Sequence, residues 1–189
     1  MESRLQARNI QRAWYNYITT SHYLGPSLPE YDRCLISNDT LMYFGALSCR
    51  DEILCTALLQ LIVKKNILVV LAGTGNNGKS VLGEISRIIS GKVGVIPGLF
   101  SEAYVAAHED NTMTSRAGPD INWIVITNSL PATTDNFLGR EPVVVKFNHP
   151  IENPVPDICT QMSTVDKLGE FLKYCLLNCD QSLLGSGPA

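Results

Sequence analysis

The chain has 189 residues, of which 45% are hydrophobic and 17% are charged, and its formal net charge is −3. This length and composition are typical of a soluble globular protein with one domain, or with one domain and a small appendage. The negative net charge excludes a protein that coats nucleic acid through a general positive field. No apolar run is long enough to cross a membrane.

Residues 1–44 predict a helix followed by a linker or an oligomerisation segment. Apolar side chains recur at helical spacing over residues 3–20, and a row of arginines occupies another side of that helix. We interpret the arginines as a solvated face, with a contact to nucleic acid or to a partner as the alternative. Residues 24–40 are rich in Pro, Asp and Asn, which favours turns and a domain boundary.

The N-terminal segment has no apolar core of the kind that a secretory signal needs, so we expect a cytoplasmic or nuclear protein. The cysteines agree with a reducing compartment, because none belongs to a Cys-x-x-Cys pair and none has a histidine at zinc-finger spacing. We therefore expect reduced thiols at Cys34, Cys49, Cys55, Cys159, Cys175 and Cys179.

Residues 45–182 predict a single α/β domain, and residues 183–189 predict a flexible tail. Helical patterns lie at 51–64, 80–90 and 164–178, and strand patterns lie at 66–72, 121–127 and 143–147, with a shorter candidate strand at 93–96. The strand at 66–72 is apolar throughout, which is typical of a parallel strand covered on both faces. The pattern of residues 102–110 leaves strand and helix open.

The loop after the first strand reads GTGNNGKS, and Gly73, Gly78, Lys79 and Ser80 match the pattern G-x-x-x-x-G-K-[ST]. The strand that precedes it and the helix that follows it are the context that a phosphate-binding loop needs. A helix N-terminus offers unpaired N–H groups and a partial positive charge, and glycines let the backbone approach a phosphate closely. The alternative is a plain strand-to-helix turn, which has no need of Lys and Ser after the last glycine.

This pattern predicts a nucleotide site that binds ATP and Mg²⁺. Lys79 is expected to reach the β- and γ-phosphates, and the Ser80 hydroxyl is expected to ligate Mg²⁺. The candidate nucleotide-binding residues are Gly73, Thr74, Gly75, Asn76, Asn77, Gly78, Lys79, Ser80 and Val81.

A second pattern follows further along the chain, where a strand ends in Thr and Asn128, and Pro131, Asp135 and Arg140 precede another apolar strand. Together with the loop, this region over residues 45–180 resembles the superfamily III helicases of DNA viruses and phages, particularly the poxvirus-type primase–helicase branch. The resemblance implies a P-loop NTPase of AAA+-like type, with a three-layer core around a mainly parallel sheet. It also implies a ring-forming, usually hexameric motor that acts on single-stranded DNA in a host cell, beside other replication proteins.

The resemblance implies roles for two of these residues. Asn128 would hold the attacking water against the γ-phosphate, since an amide can donate one hydrogen bond and accept another. Arg140 would be offered to the ATP of a neighbouring subunit, where a guanidinium stabilises the charge of the transferring phosphoryl group. The alternatives are a turn residue before a proline for Asn128 and a surface arginine for Arg140.

The family also uses an acidic pair at a strand end, and the candidates here are Glu109 and Asp110. Glu109 would act as the base that orients water. Asp110 would ligate Mg²⁺ together with Ser80. Weaker candidates are Glu102 and Asp120, and the alternative for Glu109 and Asp110 is an exposed loop.

The match is incomplete between Ser80 and Asn128, where this chain has fewer residues than the family normally uses. Too few remain for the usual helix and DNA-gripping hairpin, and Arg116 and Lys92 are the basic residues left to face a pore. We therefore predict an ATPase of helicase type. The alternatives are a nucleotide-binding or assembly module without full helicase activity, and a small-molecule kinase, which normally needs an arginine-rich lid.

Overall fold

The computed structural model describes residues 35–90, 93–97, 122–129 and 141–184. In these ranges the chain forms an α/β fold with a parallel sheet, which confirms the predicted class at that level. The helices are α1 (Asn38–Ala46), α2 (Asp51–Val63), α3 (Lys79–Ser90), α4 (Ile158–Met162) and α5 (Val165–Asn178). The strands are β1 (Leu68–Ala72), β2 (Val93–Pro97), β3 (Asn122–Thr127) and β4 (Pro142–Lys146), and a 3-10 helix follows at Gln181–Leu184.

The four strands that the structure describes form one sheet in the order β2-β3-β1-β4, and all neighbouring pairs are parallel. Strand β1 is central, and its last residue, Ala72, pairs with Thr127 of β3 on one side and with Lys146 of β4 on the other. The carboxyl ends of these three strands therefore meet at one edge of the sheet. The loop that carries the phosphate-binding motif begins at this edge.

Both faces of β1 are buried, which explains its uninterrupted apolar sequence. Val69 and Leu71 join the main core, to which α2, α3 and α5 also contribute. Leu68 and Val70 belong to a second, smaller group of buried side chains on the opposite face. The side chains alternate between faces along a strand, so a strand covered on both sides needs apolar residues at every position.

Helix α1 was not predicted, and it spans residue 44, where the sequence predicted a boundary. Its residues Tyr43 and Phe44 are buried in the main core. The Phe44 ring stacks on Tyr174 of α5 with centroids 3.9 Å apart and lies 4.9 Å from the Phe171 ring. A helix of 9 residues is too short to show a clear apolar period, and packing against α5 decides its conformation.

Several predictions on the sequence fall partly or wholly outside the described residues. These are the helix at 3–20, most of the linker at 24–40, the segment at 102–110 and most of the tail at 183–189. The 3-10 helix includes residues 183 and 184 of this tail. The carbonyl of Leu183 accepts hydrogen bonds from Gln60 of α2 (3.0 Å) and from Lys64, which follows α2 (2.6 Å). Within the described ranges, no helix has both the length and the apolar composition needed to cross a membrane.

The cysteines that the structure describes are free thiols: Cys49, Cys55, Cys159, Cys175 and Cys179. Burial raises the pKa of the Cys49 thiol to about 12, with the carboxylate of Asp51 acting in the same direction. Burial also raises the pKa of Cys175 well above its usual value. These thiols are therefore poor nucleophiles, because the reactive form is the thiolate.

A buried amide joins the end of α2 to the start of β1 and β3. The Nδ2 of Asn122 donates to the carbonyls of Leu61 (2.8 Å) and Lys64 (2.9 Å), and its Oδ1 accepts from the N–H of Ile67 (2.8 Å). We expect Asn122→Asp to lower the free energy of unfolding by about 3 kcal/mol, because a carboxylate cannot donate to the two carbonyls. Urea unfolding followed by circular dichroism measures the loss.

The matched control for this prediction is Asn148→Asp, since Asn148 is an exposed asparagine just after β4. It introduces the same change of charge without a buried hydrogen bond to lose. Equal unfolding free energies for the two variants would contradict the role assigned to Asn122.

Candidate functional site

The loop between β1 and α3 turns the chain at the carboxyl edge of the sheet. Residues 73–78 are a run of bends, and α3 begins at Lys79. The N–H of Leu82 donates to the carbonyl of Gly78 at 3.0 Å, as in a regular first helical turn. The N–H groups of residues 79–81 precede this bond and so have no acceptor within the helix. They form a partly positive helix end that favours an anion.

Two of the loop glycines stand where no side chain fits. A Cβ at Gly73 would lie 2.5 Å from the carbonyl oxygen of Phe147, which follows β4. Gly78 has a φ of +85°, and a Cβ there would lie 2.8 Å from the Leu47 side chain. A Cβ at Gly75 would meet no atom within 4 Å. The glycines at the two ends of the motif are therefore required by the fold of the loop, and Gly75 is not.

The Lys79 side chain folds back over the loop and is only 5% exposed. Its Nζ donates to the carbonyls of Gly73 (2.7 Å) and Thr74 (2.9 Å) and to the Oδ1 of Asn77 (2.7 Å). Burial lowers the pKa of the Lys79 ammonium. The ammonium is thus held at the centre of the loop by three oxygen atoms, in a place where a phosphate oxygen would be attracted to its charge.

The two asparagines of the loop also have structural roles. The Asn77 side chain is buried, and its amide both donates to the carbonyl of Thr74 and accepts from Lys79. Asn76 has a φ of +59°, a conformation that asparagine tolerates better than most residues. Its carbonyl accepts from the N–H of Ile151 at 2.7 Å, which joins the loop to the segment after β4.

The strand neighbouring β1 brings Asn128 beside the loop. Since Ala72 pairs with Thr127, the next residues of the two strands, Gly73 and Asn128, are neighbours at the sheet edge. The N–H of Gly73 donates to the carbonyl of Thr127 at 3.1 Å. Asn128 is exposed and lines the same cleft as Lys79 and Ser80.

This cleft has a volume of about 490 Å³, within the range of roughly 300–1,000 Å³ that is usual for small-molecule sites. The loop and the start of α3 contribute residues Gly75 to Val81 to its lining. The side walls are α1 and the segment from Ile151 to Gln161. The sequence did not predict either wall, because it assigned residues up to 44 to a helix and linker, and residues 151–161 carry no motif that indicates binding.

The position of α1, and so of this wall, is held by one carboxylate of α5. The Glu170 Oε2 accepts from the N–H of Ser37 (3.0 Å) and from the hydroxyls of Ser37 (2.5 Å) and Thr40 (2.6 Å). The Lys167 Nζ lies 3.4 Å from the same oxygen. Partial burial raises the pKa of Glu170, but these hydrogen bonds and the charge of Lys167 lower it more, to about 2.

The pKa of Glu170 predicts how acid acts on this anchor. The pKa of about 2 in the folded protein lies below the usual value of 4.5. The ionised carboxylate therefore stabilises the fold fully at pH values above about 4.5. The stabilisation is lost as the pH falls from about 4.5 towards about 2. We expect Glu170→Gln to lower the free energy of unfolding by about 2 kcal/mol at neutral pH, and the difference to shrink as the pH falls through this window.

Chemical unfolding at several pH values measures this effect. Glu141→Gln is the control, because Glu141 is an exposed carboxylate at the start of β4. A Glu170→Gln deficit that stays constant down to the acid end of the window would contradict the assignment.

The remaining site residues that the sequence predicted lie outside the described residues. They are the acidic candidates Glu102, Glu109, Asp110 and Asp120, the basic candidates Lys92 and Arg116, and Arg140. Their roles stay predictions. The described ranges contain no group of three or more His, Cys, Asp or Glu side chains that could hold a metal ion.

The cleft can supply one predicted Mg²⁺ ligand, because the Ser80 hydroxyl lies on its exposed side at the start of α3. Asp39 of α1 also lines the cleft, and its carboxylate lies 3.4 Å from the Lys167 ammonium. A hydroxyl beside a loop of this pattern fits the donor set that Mg²⁺ uses with nucleotides, in which the phosphates and water supply most ligands.

No protein-family model, curated protein or solved structure with which the chain was compared matches it.

Proposed function

We propose that this chain binds ATP with Mg²⁺ and hydrolyses it, as a helicase-type P-loop ATPase of DNA virus or phage replication. In this proposal the sheet and its helices are the core of an AAA+-like domain that assembles into a hexameric ring and acts on single-stranded DNA. The observation that carries it is the arrangement of Lys79, Ser80 and Val81 at the start of α3, where the N–H groups have no acceptor within the helix, beside the cleft that Asn128 also lines.

The geometry supports the binding of a triphosphate at this place. Residues 79–81 line one end of the cleft, where the N–H groups at the start of α3 and the charge of the Lys79 ammonium attract an anion. The three protons of that ammonium go to oxygen atoms of the loop, so its contribution is its charge. Gly73 and Gly78 let the loop pack closely against Phe147 and Leu47, which fixes its path beside this end. Among the described residues that line the cleft, Lys79 is the cationic one, so the negative phosphates have one preferred end.

The remaining roles in hydrolysis follow from the resemblance and from the position of Asn128. Asn128 would hold the attacking water, since its amide is exposed in the cleft beside the loop. Mg²⁺ would neutralise charge on the phosphates, and Ser80 and Asp110 would ligate it. Glu109 would accept the proton of the water, and Arg140 would reach the site of a neighbouring subunit.

A nucleotide-binding or assembly module without turnover is the second candidate. It is favoured by the strand ends that the structure describes, since β1 leads into Gly73 and β3 into Asn128, and neither end carries a carboxylate. Asp39, on α1, is the acidic residue among the described residues that line the cleft. The two candidates differ in one measurable property, which is the release of phosphate.

The experiment measures ATP affinity by calorimetry and phosphate release in parallel, with Mg²⁺ and with a chelator. We expect binding that needs Mg²⁺ and turnover that rises with protein concentration, because Arg140 acts across a subunit interface. Asn128→Ala should keep the affinity within about threefold and lower turnover by about 100-fold, the usual effect of removing one positioned polar group. Binding without turnover in the unchanged chain would replace the ATPase by the binding module, and absence of binding would exclude both.

A further inference from the structure

The cleft extends well beyond the part that phosphates would occupy. The loop and the start of α3 form one end, and the cleft continues between α1 and the segment from Ile151 to Gln161. Bare phosphates would leave this second part empty. What it could hold follows from the side chains on its two walls.

These walls are largely apolar, and both contribute exposed side chains to the cleft. Met42 of α1 is 71% exposed, and Val155 of the segment from Ile151 to Gln161 is 51% exposed. Ala46 and Pro154 extend the same two surfaces. Apolar side chains exposed on both sides of a cleft gain free energy when a flat apolar group enters between them, because their surface is then removed from water.

Charge gives the cleft a direction. Lys79 attracts phosphate at the loop end, while the Asp39 carboxylate on the α1 wall, whose charge the Lys167 ammonium at 3.4 Å partly offsets, does not. The polar side chains of Asn153 and Gln161 on the other wall are neutral amides, which can pair with the edge of a heterocycle. A ligand with phosphates at one end and a flat, neutral, polar-edged group at the other matches this distribution.

We propose that the cleft between α1 and residues 151–161 binds the base of the nucleotide whose phosphates lie on the loop. This inference rests on the proposed function, since it places the base next to that phosphate site. It makes the chain selective for nucleoside triphosphates over other polyphosphates. It also assigns Met42 and Val155 as the residues that contact the faces of the base.

The α1 wall of the cleft is fixed by contacts with the core. Tyr43 and Phe44 anchor α1 in the main core, and Glu170 accepts three hydrogen bonds at the start of that helix. The exposed side of α1 can therefore contact a ligand without any change of the buried side. Substitutions at Met42 and Val155 test contacts with the ligand while leaving the core intact.

The test compares the affinities for ATP and for inorganic tripolyphosphate by calorimetry with Mg²⁺. The unchanged chain should bind ATP at least about tenfold more tightly than tripolyphosphate. Met42→Ser and Val155→Ser should each lower the ATP affinity about fivefold, from the loss of apolar contact, and leave the tripolyphosphate affinity unchanged. Leu177→Ser is the matched control, since Leu177 is an exposed apolar residue of α5, 68% exposed, that does not line the cleft.

The outcomes separate this inference from the proposed function. Equal affinities for ATP and tripolyphosphate, with both lost in a Lys79 variant, would overturn the base site and leave the phosphate site standing. An effect of Leu177→Ser as large as that of Met42→Ser would also overturn it. Failure of both ligands to bind would remove the proposed function and this inference together.

Discussion

Replacing Lys79 with methionine is expected to lower the affinity for ATP by about 100-fold and to abolish hydrolysis. Methionine keeps most of the apolar length of the side chain and removes the ammonium. The charge of that group is directed at the centre of the loop by contacts with Gly73, Thr74 and Asn77. A phosphate that entered the loop would then face only the amides of α3, which are weaker attractors than a charged donor.

Lys64→Met is the matched control for this prediction. The Lys64 ammonium also donates a hydrogen bond to a backbone carbonyl, that of Leu183 at 2.6 Å, but Lys64 does not line the cleft. We expect its ATP affinity to equal that of the unchanged chain. Calorimetry with both variants measures the difference, and full affinity in Lys79→Met would exclude the loop as the phosphate site.

Gly73→Ala is expected to lower the free energy of unfolding by about 3 kcal/mol. It should also weaken ATP binding, because the loop would be displaced. The added Cβ would lie 2.5 Å from the Phe147 carbonyl oxygen and 2.9 Å from the Phe147 Cβ. These are atoms of the chain just after β4, and the N–H of Phe147 donates to the carbonyl of Ala72 at 2.8 Å. The Asn77 Nδ2 would also lie 2.8 Å from the new Cβ, so either the chain after β4 or the loop has to shift.

Gly75→Ala isolates the steric part of this effect. It adds the same methyl group in the same loop, where a Cβ would meet no atom within 4 Å. We expect its free energy of unfolding to stay within about 0.5 kcal/mol of that of the unchanged chain. Thermal or urea unfolding of both variants gives the comparison, and equal stabilities would show that the approach of Phe147 to Gly73 does not constrain the loop.

The elements with the strongest patterns could be predicted from the sequence. Strand β1 is apolar at every position because both of its faces are buried, and helix α3 shows a helical period because one of its sides joins the core. The match of residues Gly73 to Ser80 to G-x-x-x-x-G-K-[ST] could also be read from the sequence, but the close approach of Phe147 to Gly73 and of Leu47 to Gly78 could not. The periods of the strand and the helix depend on neighbours in the sequence, so local physics is sufficient to predict them.

Helix α1 could not be predicted, because its conformation depends on distant residues. Phe44 stacks on Tyr174, and Glu170 accepts the hydrogen bonds at its start, although both partners lie more than a hundred residues away along the chain. Asn122 is a similar case, since a polar residue at the start of an apolar strand gave no indication that its amide would join α2 to β1.

The sequence by itself determined that a loop with the pattern G-x-x-x-x-G-K-[ST] stands between an apolar strand and a helix, because the pattern and the two periods are local properties of the chain. Only the tertiary structure decided what surrounds that loop. The parallel register brought Asn128 beside Gly73, and the packing of α1 on α5 made a cleft wall from a segment that the sequence assigned to a linker. Contacts between residues far apart in the chain leave no periodic signal in either partner, so the pocket appears only when the chain is folded.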